Sequence, residues 1–225
     1  MKERIEAMLQ AQDWDGLTQA MRAEPKAWGL LVRALYLADE GLGWRAVEGF
    51  GRTMAAQAAT DTDRCREMLR RLFWAMNDES GVSGRLLPAA LGEAVARAPH
   101  VFGDWAPRLL VPLEEPFLQA TAAWACGRIA QVRPDLVRDT VPALGQLLSS
   151  PNPSVRGHAV WALGEMGRPQ AREEITALAN DEEPLQIFLD GSLQQVTVGT
   201  LAAAALRALD RSGEGVIEFR TRTNL

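Results

Sequence analysis

Long apolar runs are missing from this chain. No stretch approaches the roughly 18 consecutive apolar residues of a membrane-spanning helix, and the opening MKERIEAMLQAQDWDGL has no apolar core behind its charges. A membrane span and a secretory leader are therefore not expected, and the cytoplasm is the expected compartment. Cysteine is scarce: Cys65 and Cys126 lie on predicted helices of different repeats, in no metal-like or redox spacing, and read as buried free thiols. No metal or cofactor is expected. A basic excess is also missing. With 24 Lys and Arg against 29 Asp and Glu, the net charge of -5 and pI near 5.2 give no general attraction to nucleic acid or to an anionic membrane.

What is present is a repeat. In VRGHAVWALGEMG, Val155 to Gly167, the residues Val155, Ala159, Ala162, Leu163 and Met166 share one helical face, and their small alanines admit a close neighbour. Gly167 and Pro169 supply a left-handed cap and a stop. Ala171, Ile175 and Leu178 line the next segment, so the unit is helix, turn, helix. Its Ala162-Leu163-Gly164 ending returns as Gly49-Phe50-Gly51, Ala90-Leu91-Gly92 and Ala125-Cys126-Gly127, and as Ala205-Leu206 with Arg207 in place of the glycine. The marker position recurs at intervals of about 41, 35, 37 and 43 residues, within the range of two-helix solenoid units. Gly51, Gly92, Gly127 and Gly164 are expected at equivalent places in successive units.

The predicted class is all-α: one superhelical solenoid with a small β-hairpin inserted near its C-terminus. Residues 1–43 read as a helical cap, with Asp13 as an N-cap and Pro25 in the first turn of a third helix. Regular repeats follow over 44–183, including four arginines (Arg64, Arg66, Arg70, Arg71) on a solvated face and a helix that Pro142 kinks or restarts. Residues 185–198 have strand formers on both sides of Asp190-Gly191, a two-residue hairpin signal. A last repeat helix covers 199–212. In the tail, 213–225, the stretch from Val216 alternates enough for a strand that pairs with the hairpin, or is disordered. The turn Asn77-Asp78-Glu79-Ser80-Gly81 gathers two carboxylates. It is too poor in oxygen ligands for calcium, and is suited to capping the next helix or to meeting a basic partner group.

These units resemble HEAT repeats, and in particular the HEAT-like type of phycobilisome lyases, with its valine-arginine pair, spaced alanines and alanine-leucine-glycine followed by an acid. Val155-Arg156, Ala159 and Ala162-Leu163-Gly164-Glu165 carry the resemblance, Ala90-Leu91-Gly92-Glu93 carries its second half, and it covers roughly Trp44 to Leu209. It implies an interaction scaffold that holds a protein or peptide on a concave face, with Asp78, Glu79, Trp124, Arg156, Trp161 and Glu165 as the expected partner contacts. A lyase or maturation subunit acting on a protein-bound chromophore is the second reading by this likeness, though no nucleophile with a partnered base is evident. HEAT-like DNA glycosylases give a third, in which Trp105, Trp124 and Trp161 stack on bases; the acidic balance opposes it. Iron-binding HEAT hydroxylases resemble one another through paired His-Glu steps, whereas His100 and His158 are each followed by a nonpolar residue. No catalytic residue is assigned, and the sequence leaves the oligomeric state open.

Overall fold

The computed structural model describes residues 1–37, 39–76 and 84–221, with side chains through 211. Three helices, α1 (Lys2–Ala11), α2 (Trp14–Ala23) and α3 (Pro25–Ala34), form the N-terminal cap. Asp13 accepts the Gly16 amide at 2.9 Å, and Pro25 opens α3 without losing a bond, since a first-turn amide has no intrahelical acceptor. Then come α4 (Glu40–Ala58), α5 (Thr62–Met76), α6 (Leu87–Arg97), α7 (Pro99–Phe102), α8 (Leu110–Glu114), α9 (Gln119–Ala130), α10 (Val141–Leu147), α11 (Pro153–Glu165) and α12 (Arg172–Ala177). Strands β1 (Pro184–Leu189) and β2 (Ser192–Thr197) precede α13 (Val198–Thr221).

Helices α4, α6, α9, α11 and α13 stack side by side as one layer, and the segments between them, α5 and then a series of short, broken helices, form the second. The layers differ because of proline. Pro107 lies inside a 3-10 segment, Gly103–Leu109, and another 3-10 segment, Pro134–Thr140, ends where Pro142 starts α10 afresh. The long layer has no such interruption, and its alanines are consumed in close contact: Ala90, Ala122, Ala125, Ala159, Ala162 and Ala202 are fully buried, as is Leu163.

The marker glycines explain how near the helices come. A Cβ on Gly92 would stand 2.6 Å from Ala125 Cα, one on Gly127 3.0 Å from Ala162 Cα, and one on Gly164 2.8 Å from Ala205 Cα. Each marker meets the alanine two residues before the next marker position. Gly51 departs from that rule. Its Cβ would meet the backbone of Glu93 at 3.0 Å rather than Ala90, a displacement of three residues, or about one helical turn. The expected equivalence holds for three glycines and fails for Gly51, because the Gly49-Phe50-Gly51 match has the right residues one turn out of register. Gly49 instead faces Leu17 and Leu9 of the cap.

The hairpin forms as its sequence directs. Asp190 and Gly191 have φ of 51° and 75°, the pair of left-handed residues that a two-residue connection of this hand needs. Leu189 pairs with Ser192, and the register runs out to Pro184 and Thr197. The tail is a correction. From Val216 it is neither a strand nor disordered through Thr221, but continues α13. The two-stranded sheet consists of β1 and β2 alone, and the tail extends by local hydrogen bonding from a helix already nucleated. Cys65 and Cys126 are buried free thiols, pushed up by burial to about 11 and about 12. On α5, Arg66 pairs with Asp104 while Arg70 and Arg71 pair with Glu67, so three of the four arginines there are engaged. No described helix is long and apolar enough to cross a membrane.

Candidate functional site

The hairpin lies across the face of the long-helix layer. Phe188 of β1 stacks on Trp44 of α4 at 5.3 Å between ring centroids, and Trp44 meets Trp124 of α9 edge-on at 4.8 Å. Trp124 in turn lies 6.1 Å from Trp161 of α11. The Trp124 indole donates to the Phe188 carbonyl oxygen at 2.7 Å, closing a contact between residues 64 positions apart. At the tip, the Gln12 amide reaches the Gly191 carbonyl at 3.5 Å, so the hairpin runs from the last repeats back to the cap.

This crossing divides the face into two hollows. The N-terminal ends of α4, α9 and α11 border one, of about 670 Å³, with Trp44, Thr121, His158 and Gln186 in its wall. The C-terminal halves of the same helices border the other, of about 800 Å³, with Glu48, Glu93, Arg128, Trp161, Glu165 and the hairpin tip.

An alternating chain of charges floors the second hollow. Arg52 donates to Glu48 at 2.9 Å, and Arg97 reaches the same carboxylate at 3.4 Å while also bonding Glu93. Arg128 donates to the other oxygen of Glu93 at 2.7 Å, and to Gln131 at 3.4 Å. The chain thus crosses α4, α6 and α9 in order. Its bonded carboxylates are buried, with the Glu93 side chain 4% exposed, so their charges are held by guanidinium partners rather than by water. Glu165 occupies the next place, on α11, with no arginine bonded to it. Desolvation raises its pKa; bonds from Gln131 and the Trp161 indole and the positive charge of Arg211 oppose that rise, and Asp190 adds to it by charge repulsion.

The expected partner contacts are distributed as follows. Trp124, Trp161 and Glu165 border the second hollow. The two tryptophans are 3% and 7% exposed and belong chiefly to the hairpin's seat. Arg156 lies elsewhere: it bonds Asp181 at 2.8 Å and the Ser150 carbonyl at 2.7 Å, both side chains of the ion pair being 13% exposed, and so clamps its own repeat. Asp78 and Glu79 lie outside the described residues. Sequence reading missed Glu48, Arg52, Glu93 and Arg97. Their signal was available, since Glu48 and Arg52 repeat the i, i+4 spacing of Glu93 and Arg97 in the next long helix.

His158 stands in the wall of the first hollow, 2% exposed. Its Nδ1 is 2.6 Å from the Ser154 carbonyl oxygen, which assigns the proton to Nδ1 and leaves Nε2 as a lone pair with no partner among the described residues. Burial lowers its pKa from 6.5 to about 4, against the Ser154 bond, which raises it. The unfolded chain therefore binds the extra proton first, and this histidine's neutral form contributes stability that is complete above pH 6.5 and lost as pH falls towards 4. Relative to a His158→Asn variant, the wild-type chain should lose about 2 kcal/mol between pH 7 and pH 5. Urea midpoints of both proteins at the two pH values measure this, and parallel losses would mean that the imidazole is already solvated.

Residues 108–187 match the family model for HEAT repeats. An uncharacterized protein of Archaeoglobus fulgidus is 27% identical over 164 residues, covering 72% of this chain and 85% of that one. Among solved structures, an engineered protein is similar with a TM-score of 0.59 at 16% identity, over 93% of this chain and 90% of that one. A designed armadillo repeat protein in complex with the peptide (KR)4 is similar with a TM-score of 0.51 at 18% identity, over 87% and 86% of the two chains. The likeness shown is to HEAT and armadillo repeats at large; the phycobilisome-lyase type in particular is not shown.

Proposed function

Because the chain is a HEAT-repeat protein, we propose that it is an interaction scaffold whose second hollow receives an extended polypeptide segment carrying a basic side chain. The observation that carries this reading is the unpaired end of the charge chain. Glu48 and Glu93 each hold bonded arginines of this protein, whereas Glu165 has no ion pair within bonding distance among the described residues: Arg211 acts on it only through its charge, and the Asp190 carboxylate opposes it. A lysine or arginine of a partner supplies a directly bonded cation there, opposite the Glu165 and Asp190 carboxylates. The designed armadillo protein that holds (KR)4 has a similar fold, and its ligand offers the side-chain chemistry that Glu165 and Asp190 fit. A nucleic-acid ligand fits less well, since Trp105, Trp124 and Trp161 are buried and present no face for a base.

Fluorescence anisotropy with a labelled (Lys-Arg)4 peptide tests the proposal. Binding should weaken as salt is raised, and Glu165→Lys should reduce affinity about tenfold or more while leaving the melting temperature nearly unchanged, since the side chain is exposed. Equal binding by the folded variant, or no binding by the wild-type chain, would dismiss the basic-segment reading.

A further inference from the structure

Away from both hollows, α3 and α5 each pack on α4 and leave between them a groove of about 930 Å³. Its floor is apolar, with Trp28 and Leu72 buried and Leu30, Met68 and Ala75 half-buried. The two walls follow one pattern. On α3, Lys26, Gly29, Leu30 and Arg33 stand at i, i+3, i+4 and i+7; on α5, Arg64, Glu67, Met68 and Arg71 stand at the same places. Each set is a single stripe of its helix. Each wall therefore holds an apolar residue between two cations that are two turns, or about 10 Å, apart.

The charge on these walls is not met from within the chain. Lys26, Arg33 and Arg64 are exposed and have no carboxylate bonded to them among the described residues, and Arg71 shares Glu67 with Arg70. The acids of the wall, Glu24 and Glu67, are already paired, so a protein of net charge -5 borders this one apolar groove with an excess of cations. Gly29 is an independent observation. A Cβ there would meet nothing within 4 Å, so packing does not demand a glycine in the middle of α3, where glycine costs helix stability. Its effect is on the groove, whose wall it keeps open midway between Lys26 and Arg33.

The spacing of the cations selects the occupant. A single-headed amphiphile needs charge at one end of its seat, whereas each wall here carries cations two turns apart. An amphipathic helix matches that arrangement, with apolar residues along one stripe and carboxylates flanking it at heptad spacing, as the flanking charges of coiled coils do. We propose that the groove between α3 and α5 is the docking site for one acidic amphipathic helix of a partner protein. Its apolar stripe lies on Leu30, Met68 and Leu72, and its flanking carboxylates face Lys26, Arg33, Arg64 and Arg71. The site is separate from the Glu165 hollow and does not depend on the reading given to that hollow.

Fluorescence anisotropy with a labelled probe helix, the heptad Leu-Glu-Glu-Leu-Leu-Glu-Ala repeated three times, gives the test on the intact protein. Binding should saturate at micromolar concentration and weaken as salt is raised. Arg33→Glu combined with Arg64→Glu should lower the affinity about tenfold or more, and should confer binding of the same peptide with every Glu replaced by Lys. Gly29→Trp, whose Cβ enters free space, should abolish binding while the melting temperature stays or rises. Glu165→Lys should leave this binding unchanged, which separates it from the other hollow. No saturable binding by the wild-type chain, unchanged binding by folded Gly29→Trp or by the charge-reversed variant, or loss of binding in Glu165→Lys would each overturn the proposal. So would equal affinity for a probe whose helix is broken by prolines, since the groove would then be a general apolar surface.

Discussion

Phe188→Ala should destabilise the protein by about 3 to 5 kcal/mol and shift its tryptophan emission to the red. The ring is 6% exposed and stacks on Trp44, 5.3 Å away at an interplanar angle of 5°, with Trp124 against both. Truncation removes the transfer free energy of a phenyl group and leaves a gap between two indoles that cannot close, since each is fixed by its own helix. Water then reaches Trp44 and Trp124, and the emission reports it. Gln195→Ala, at an exposed position on the neighbouring strand, should change neither property. If Phe188→Ala cost less than about 1 kcal/mol and left the emission alone, the hairpin would rest on the face without being seated in it.

Glu93→Ala should cost about 3 kcal/mol, for a different reason. The carboxylate is nearly inaccessible and receives Arg97 on one oxygen and Arg128 on the other. Its loss leaves two guanidinium groups in a desolvated setting. Glu48 can still compensate Arg97, but Arg128 retains only Gln131. Removing the uncompensated charge as well should restore part of the stability, so Glu93→Leu combined with Arg128→Met should be more stable than Glu93→Ala alone. Guanidinium chloride is unsuitable because its ionic strength screens the effect, so urea melts are the measurement. A loss within 0.5 kcal/mol, the range of ordinary surface changes, would show the chain of charges to be solvated.

These two residues show where the sequence was informative and where it was not. The long-helix layer was legible because each unit repeats the same local rule: an alanine face, a close-approach glycine, and a cap such as Asn152 or Gly167. The hairpin was legible from Asp190-Gly191 alone. The place where the hairpin docks was not, because the Trp124 bond to Phe188 joins residues 64 positions apart and no periodicity encodes it. Trp124 and Trp161 were recognisable as residues of the groove, yet their burial comes from a strand that begins more than twenty residues later. The one-turn displacement at Gly51 was hidden as well, since composition matched where register did not. Arg156 shows the converse: a motif arginine read as a surface contact is a repeat clamp, because Asp181 approaches it from the far end of its own unit.

A stack of units that touch only their neighbours behaves as a spring: its softest motion is a change of curvature, and its ends can melt while its middle persists. The hairpin acts as a strut inside that spring. It joins Gln12 and Trp44 near one end to residues 188 and 191 near the other, so bending the stack open must first break the Phe188 contact and the Gly191 contact. Resistance to that bending, and a coupling of the two ends during unfolding, are the expected consequences.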